Sequence, residues 1–207
     1  MQDVTLTCPH CKWEHPHTLT PFIDLQKQPK QRLGILTDSL FSVTCPACKR
    51  QYTVLHELLV VDETTKWAMM LIPNTEHKQV DGKVTGREGL DSYTLRLVSS
   101  TAALKEKLLI WEQGLDDRTV ELCKLYLSLQ LQETEYQLFF TEQEKEGDTL
   151  YFTVLNKDGS LEGSISCEFG LYSQLHVNAV SFPLQKGYFS RIDRQWAEQS
   201  IRNSVAQ

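Results

Sequence analysis

The sequence predicts an α+β protein whose parts follow one another along the chain. Two Cys-x-x-Cys pairs lie among short strand-like segments near its beginning. Two segments with apolar residues at helical spacing occupy the middle, and from Tyr136 onward apolar residues recur at every second position. These patterns favour small β hairpins, then a pair of helices, then antiparallel strands.

Strand-like segments surround both cysteine pairs, and they carry the β-branched and aromatic residues typical of strands. The segment between the pairs, residues 25–36, instead has a helical pattern, with Pro29 near its first turn and Gly34 near its end. The strands predicted in this part of the chain are residues 4–7, 12–19, 42–44, 51–61 and 67–72.

A polar stretch, residues 74–92, follows the last of these strands. It contains three glycines and predicts a mobile loop that separates two parts of the chain. We therefore expect an N-terminal unit at 1–73 and an α+β domain at 93–207.

The second part is predicted to begin with a strand at 93–98 and to continue with two helices. The first helix covers about 101–113 and ends at Gly114. Asp116 or Asp117 is expected to cap the second helix. The remaining predicted elements are strands at 137–141, 150–155, 161–169 and 175–182 and a final helix capped by Asp193.

Composition and charge narrow the class of protein. The 207 residues include 21 Lys and Arg against 27 Asp and Glu, a net charge of −6, with ordinary globular hydrophobicity. An acidic protein is not expected to bind polyanions over a large surface. The chain has neither an apolar run of about 18 residues nor the basic and apolar segments of a signal peptide. We expect a cytoplasmic protein that does not span a membrane.

The two cysteine pairs predict a metal site. CPHC and CPAC are separated by 33 residues, and each is entered by a threonine and left by a lysine. Four thiolates at about 2.3 Å from one ion form the closed tetrahedral shell that structural zinc prefers. The proline at the second position of each pair favours the tight turn that points both sulfurs at one ion. The predicted ligands of one zinc ion per chain are Cys8, Cys11, Cys45 and Cys48.

Three other interpretations of the pairs stay open. CPHC also occurs as a thiol redox motif, although here it begins at residue 8, with no room for a preceding βα unit. A catalytic zinc would need an open position and a ligand such as His10, His15 or His17. The same four sulfurs also fit iron, which the spacing does not separate from zinc.

No other set of residues predicts a reaction. Asp116 and Asp117 are interpreted as helix-capping acids rather than as a carboxylate pair. Cys123 and Cys167 stand alone in apolar surroundings and are predicted to be small buried residues. Enzymatic activity is therefore left uncertain, with a non-catalytic role favoured.

The doubled Cys-Pro-x-Cys motif resembles the CpXC domain family. A second stretch is similar to the middle segment of longer members, so the resemblance covers about the first 130 residues. One departure from the usual zinc knuckle is that Lys12 and Lys49 stand where glycine is frequent. The residues of the second stretch are Leu95–Val98, Leu104–Lys107, Gly114–Arg118, Val120–Leu122 and Lys124.

The resemblance implies that the four cysteines bind a metal and that the protein is cytoplasmic. It implies no substrate and no catalytic residue. With it, the N-terminal unit is predicted to be zinc-ribbon-like. We expect a non-catalytic module that binds a protein partner, with the oligomeric state left open. The alternative is a ribbon that contacts nucleic acid, or less favourably a thiol redox protein. The basic residues near the pairs are Lys12, Lys27, Lys30, Arg32, Lys49 and Arg50.

Overall fold

A computed structural model describes residues 1–131, 136–144 and 148–205 of the chain. Within these residues, five α-helices and several sheets confirm the predicted mixture of α and β structure. None of the described helices is long and apolar enough to cross a membrane.

The element bounds follow the chain from Gln2 to Val205. The strands are β1 (Gln2–Thr7), β2 (Glu14–Leu19), β3 (Phe22–Asp24), β4 (Ser42–Thr44), β5 (Gln51–Thr53), β6 (Leu58–Asp62), β7 (Trp67–Leu71), β8 (Gln79–Asp81), β9 (Thr94–Val98), β10 (Gln137–Glu144), β11 (Thr149–Leu155), β12 (Leu161–Glu168) and β13 (Tyr188–Ser190). The helices are α1 (Lys30–Leu36), α2 (Thr101–Glu112), α3 (Asp117–Gln130), α4 (Phe169–Ser181) and α5 (Arg194–Val205).

The chain forms two compact units, and it enters each of them twice. The first unit comprises Met1–Lys105 with Gln185–Arg191, and the second comprises Glu106–Leu184 with the described part of Ile192–Gln207. This division differs from the predicted one at 74–92, because strand pairing between distant segments joins β9 and β13 to the N-terminal strands.

Two small hairpins carry the cysteine pairs in the first unit. β1 pairs antiparallel with β2, and β4 pairs antiparallel with β5, each pair forming its own two-stranded sheet. β1 contains no buried residue, and His15 is the buried residue of β2. Val43 is the buried residue of β4, and β5 contains none, so these hairpins contribute little apolar core of their own.

A six-stranded mixed sheet supplies the core of the first unit, in the order β3-β6-β7-β9-β13-β8. The central strands β6 and β7 read LLVVD and WAMML, and nearly all their residues are buried. Continuous apolar runs of this kind are expected where both faces of a sheet are covered.

The segment predicted as a loop, 74–92, contains β8, which pairs antiparallel with β13 from the far end of the chain. Its sequence, QVD, is too short and polar to show an alternating pattern. The strand forms because β13 offers it a backbone partner, which a local pattern does not reveal.

The second unit packs helices against a three-stranded antiparallel sheet in the order β10-β11-β12. α3 lies against this sheet and also contacts α4 and α5. Asp193 accepts a hydrogen bond from the backbone N–H of Trp196 (3.0 Å), which confirms the predicted start of the last helix. One buried apolar cluster of this unit consists of Ile110, Leu115, Val120, Cys123, Leu127, Leu138, Phe140, Leu150, Phe152, Val154, Cys167 and Tyr172, and a second consists of Leu122, Leu125, Ala179 and Ala197.

The predicted strand at 175–182 is wrong, because these residues lie at the end of helix α4 and just beyond it. Leu175, Val177 and Ala179 alternate with polar residues over a short stretch, which imitates a strand. In the structure Ala179 is fully buried near α3, whereas Val177 is 70% exposed. Packing against α3 thus overrides the local alternation.

Candidate metal centre

Each cysteine pair forms the turn of one hairpin. In the first hairpin, the backbone N–H of Cys8 donates to the carbonyl of Trp13 (2.9 Å), and the N–H of Lys12 donates back to the carbonyl of Cys8 (3.0 Å). These two bonds close a tight loop around Cys8-Pro9-His10-Cys11, and both of its thiols belong to the four-sulfur group.

The second hairpin repeats this geometry. The N–H of Cys45 donates to the carbonyl of Arg50 (3.0 Å), and the N–H of Lys49 donates to the carbonyl of Cys45 (3.0 Å). Lys12 and Lys49 have φ angles of 62° and 60°, in the left-handed region where a side chain is unfavourable. Both turns are therefore built as the sequence suggested, with lysine in a conformation that suits glycine better.

The two hairpins bring the four predicted thiols to one point. The Sγ atoms of Cys8 and Cys48 are 3.8 Å apart, and those of Cys11 and Cys45 are 3.7 Å apart. Four sulfurs bound at about 2.3 Å in a tetrahedron would lie about 3.8 Å from one another. All four sulfurs lie within 4.8 Å of one another, and the cysteines are free of disulfide bonds. The cluster could hold a metal ion.

The electrostatics of the cluster favour thiolates at its buried members. Burial raises the pKa of Cys8, but backbone N–H groups, including that of Cys11, outweigh it and lower this pKa overall. The N–H of Cys48 leads the groups that lower the pKa of Cys45 to about 7. The N–H of Trp13 lowers the pKa of Cys11, yet burial and the neighbouring thiols raise it to about 11. Without a cation, each ionised thiol in the cluster disfavours ionisation of its neighbours. A bound cation would relieve this repulsion between thiolates.

A histidine and a tyrosine connect the two hairpins beside the cluster. Nε2 of His15, on β2, shares a hydrogen bond of 2.8 Å with the hydroxyl of Tyr52, on β5. Burial, and then the charge of the cysteines, raise the pKa of Tyr52, so its hydroxyl stays protonated. This contact between a ring nitrogen and a hydroxyl was not expected from the sequence, because it depends on the relative placement of two hairpins.

The three histidines named as ligands of a catalytic zinc are absent from the group of metal-holding side chains found among the described residues. His15 is engaged with Tyr52, and its Nδ1 lies 3.2 Å from the carbonyl oxygen of Pro16. His10 is exposed, and His17 lines a surface cavity of about 420 Å³. The cluster is thus a set of four sulfurs.

The structure separates the two acids that open α3. Asp116 caps the helix by accepting a hydrogen bond from the backbone N–H of Arg118 (2.9 Å), as predicted. Asp117 is buried instead, with Oδ2 3.0 Å from Nζ of Lys107. The capping interpretation is confirmed for Asp116, whereas Asp117 belongs to a buried ion pair.

That ion pair is part of a charged network inside the second unit. Nζ of Lys107 also lies 3.4 Å from Glu121, and Nζ of Lys124 lies 2.9 Å from Glu106 and 3.0 Å from Glu121. Glu106 further accepts a hydrogen bond from the backbone N–H of Phe140 (2.7 Å). One sequence signal could have revealed this charged network. It is the spacing of three charges at i, i+4 and i+7 on α3, namely Asp117, Glu121 and Lys124.

The fold and the site define a mixed α and β protein with a four-cysteine cluster near its N-terminus, able to hold a metal ion. A family model described as "CpXC protein" matches residues 6–124, and the chain therefore belongs to the CpXC family. The match includes both cysteine pairs and extends to Lys124 of the buried network. Neither a curated protein nor a solved structure gave a significant match.

Proposed function

We propose that this CpXC protein binds one Zn²⁺ per chain through its four clustered cysteines and acts as a non-catalytic, zinc-ribbon-like interaction module. The observation that carries the proposal is the pairing of sulfurs from two separate hairpins, at 3.7 and 3.8 Å. These separations match the edges of a tetrahedral four-sulfur shell, which are about 3.8 Å.

A structural role for the metal follows from how little the hairpins bury. Within residues 2–19, Cys8 and His15 are the buried positions, and the rest of β1 and β2 is exposed or half-buried. Two-stranded hairpins are only marginally stable in water by themselves. Four metal–sulfur bonds joining the two hairpins would therefore supply much of the free energy that holds them together.

A non-catalytic role is supported by the ligand set and by the surface cavity of the first unit. Four thiolates complete a tetrahedral shell and leave no position for water or substrate. Among the residues that line the 420 Å³ cavity, His17 and Lys30 are the titratable ones, and no carboxylate or cysteine accompanies them. A cytoplasmic location fits the proposal, because reducing conditions keep metal-binding thiols free.

Metal analysis tests the zinc site. Protein purified without added metal should contain about one zinc per chain, with four thiols that become reactive only when a chelator is added. Cys45→Ser should lose most of the zinc, whereas the matched variant Cys123→Ala should retain it. Iron in place of zinc, or metal-free protein whose pairs oxidise reversibly, would overturn the zinc assignment.

The proposed interaction surface lies at the first cysteine turn. Trp13, directly after that turn, is 59% exposed, and tryptophan is enriched among the residues that dominate protein–protein binding. A photoreactive amino acid placed at position 13 should crosslink to one specific protein in cells. The same probe at Lys157, an exposed residue of the second unit, should not. Equal labelling at both positions would contradict a partner-binding role for this surface.

Contact with nucleic acid is the second candidate function. All six basic residues near the cysteine pairs are exposed, although Lys27 forms an ion pair with Asp24 (2.7 Å). Phosphate contacts are strongest at low salt. A gel shift with single- and double-stranded DNA and RNA at low salt should therefore reveal binding, and its absence there would dispose of this candidate.

A further inference from the structure

The cavity of the first unit is built jointly by the first cysteine hairpin, by helix α1 and by the start of the second hairpin. His17 on β2 lines it, as do Lys30 and Gln31 in the first turn of α1. Ser42, the first residue of β4, adds the contribution of the second hairpin. The volume of about 420 Å³ lies in the range of small-molecule sites. Segments that are separate in sequence thus form one concave surface.

The periods of the strand and the helix explain why these side chains meet at the cavity. His15, two residues before His17, is buried and bonds Tyr52 of the second hairpin (2.8 Å). Alternate residues of a strand point to the same face, so His17 also faces the side of β2 on which the second hairpin lies. Lys30 and Gly34 are four residues apart and both line the cavity, so one face of α1 is turned toward it.

Four lining side chains carry hydrogen-bond donors that no group in the described part of the chain uses. Lys30 forms no ion pair with these residues, whereas Lys27, three positions earlier, pairs with Asp24 (2.7 Å). Ammonium, amide, imidazole and hydroxyl groups can all donate to an acceptor-rich ligand. The four side chains are those of His17, Lys30, Gln31 and Ser42.

The charge of the lining favours an anionic ligand with an organic part. Lys30 supplies positive charge, and no carboxylate lines the cavity. Asp3 accepts a hydrogen bond from the hydroxyl of Thr18 (2.7 Å), which is a lining residue, but Asp3 itself lies outside the lining. Leu33 and Leu40 give the cavity an apolar part as well. Lysine binds phosphate as a point charge, and a phosphate group offers three strong acceptor oxygens.

We propose that this cavity binds a small organic phosphate monoester, with its phosphate at Lys30 and His17 and its carbon skeleton against Leu33 and Leu40. A carboxylate has two oxygens, so a phosphate can use more of the free donors at once. None of the four clustered cysteines lines the cavity. Ligand binding here therefore goes beyond the proposed zinc-binding interaction role, and metal content reports on the zinc site separately.

Amide NMR of the full-length chain as purified tests the proposal, with glycerol 3-phosphate as the probe at neutral pH and constant ionic strength. Glycerol, glycerate and inorganic phosphate are titrated in parallel. We expect saturable shifts of the amides of His17, Gly34 and Ser42, with glycerol 3-phosphate bound most tightly and glycerol without effect. Absence of a saturable shift, or glycerate bound as tightly as glycerol 3-phosphate, would overturn the proposal.

Two variants locate the binding site. Lys30→Gln should weaken binding of glycerol 3-phosphate at least about tenfold, because it removes a charged donor, and His17→Phe should also weaken it. The matched control is Lys186→Gln, which makes the same charge change at an exposed residue of the same unit outside the cavity. It should bind as the wild type does. Bound metal shows that each variant is folded, and equal weakening by both lysine variants, or none by Lys30→Gln, would contradict binding in this cavity.

Discussion

Replacing Lys107 by methionine is expected to destabilise the second unit strongly and in a pH-dependent manner. Its ammonium lies 3.0 Å from Asp117 and 3.4 Å from Glu121. All three side chains are at most 3% exposed. Methionine has nearly the same length but no charge, so the substitution leaves two buried carboxylates with less positive charge beside them.

The loss of folding free energy in Lys107→Met is limited by the less costly of two responses of the folded variant. Breaking a buried ion pair costs about 3–5 kcal/mol, but the folded variant can instead take up a proton on one carboxyl group. For an ordinary glutamate pKa of about 4.3 and about 1.36 kcal/mol per pH unit, this costs about 3.7 kcal/mol at pH 7 and about 1 kcal/mol at pH 5. The folded variant then holds more protons than its unfolded chain. Its free energy of unfolding therefore falls further below that of the wild type as pH rises.

Urea unfolding at pH 5 and pH 7, with hydrogen exchange of α3 peptides to report on the second unit, measures this difference. Lys105→Met is the matched control on the same helix, since Lys105 pairs with Asp38 where both side chains are partly exposed. That control should cost less than about 1 kcal/mol. A loss below about 1 kcal/mol for Lys107→Met at pH 7, or an equal loss at both pH values, would refute the reasoning.

Three further predictions concern the first unit. Lys49→Gly should stabilise the second cysteine turn by up to about 1 kcal/mol, because φ is 60° there, and chelator competition would show tighter metal binding. Hydrogen bonding from Lys27 leads the interactions that hold the pKa of Asp24 below 3.8. The stabilisation that ionised Asp24 gives the folded state is therefore present at neutral pH and should be lost as pH falls below about 4. NMR titration of the Lys27 amide would show this loss. Gly82→Ala should cost about 1–3 kcal/mol in thermal unfolding, because its Cβ would lie 2.7 Å from the carbonyl oxygen of Gly187.

Each of these predictions has a control or a contrary outcome. Lys30→Gly, in helix α1, should destabilise the protein, whereas Lys49→Gly should stabilise it. Equal effects of the two substitutions would contradict the explanation from the backbone conformation of Lys49. A midpoint at or above 3.8 for Asp24 would contradict the proposed effect of its ion pair. Gly170→Ala, in α4 with nothing near its Cβ, should leave stability unchanged or raised, so a loss as large as that of Gly82→Ala would argue against a specific clash.

The cysteine turns illustrate how much a local pattern can predict. The spacing of Cys8, Cys11, Cys45 and Cys48 named the four thiols that the structure brings within 4.8 Å. The two-residue interval and the proline act over a few bonds, so the turn geometry is largely local. The helices α2 and α3 and the strands β10 to β12 were predicted for the same reason, since their periodicity is a property of consecutive residues.

The misjudged elements are those that depend on distant partners. β8 and β13 form only because residues more than 100 positions apart pair across the sheet. The segment 175–182 is helical because it packs on α3, and Asp117 is buried because Lys107 reaches it from the preceding helix. Nothing in the neighbouring sequence specifies these contacts.

The sequence by itself determined the family, the mixed α and β class and which four cysteines form a cluster, because these depend on residue identity and short-range spacing. Tertiary structure decided the rest: the return of β13 to the first unit, the five-member charged network and the burial of Cys123 and Cys167 in one apolar cluster. Burial and strand pairing join residues that are far apart along the chain, and the energy of a buried charge or thiol is fixed by those neighbours.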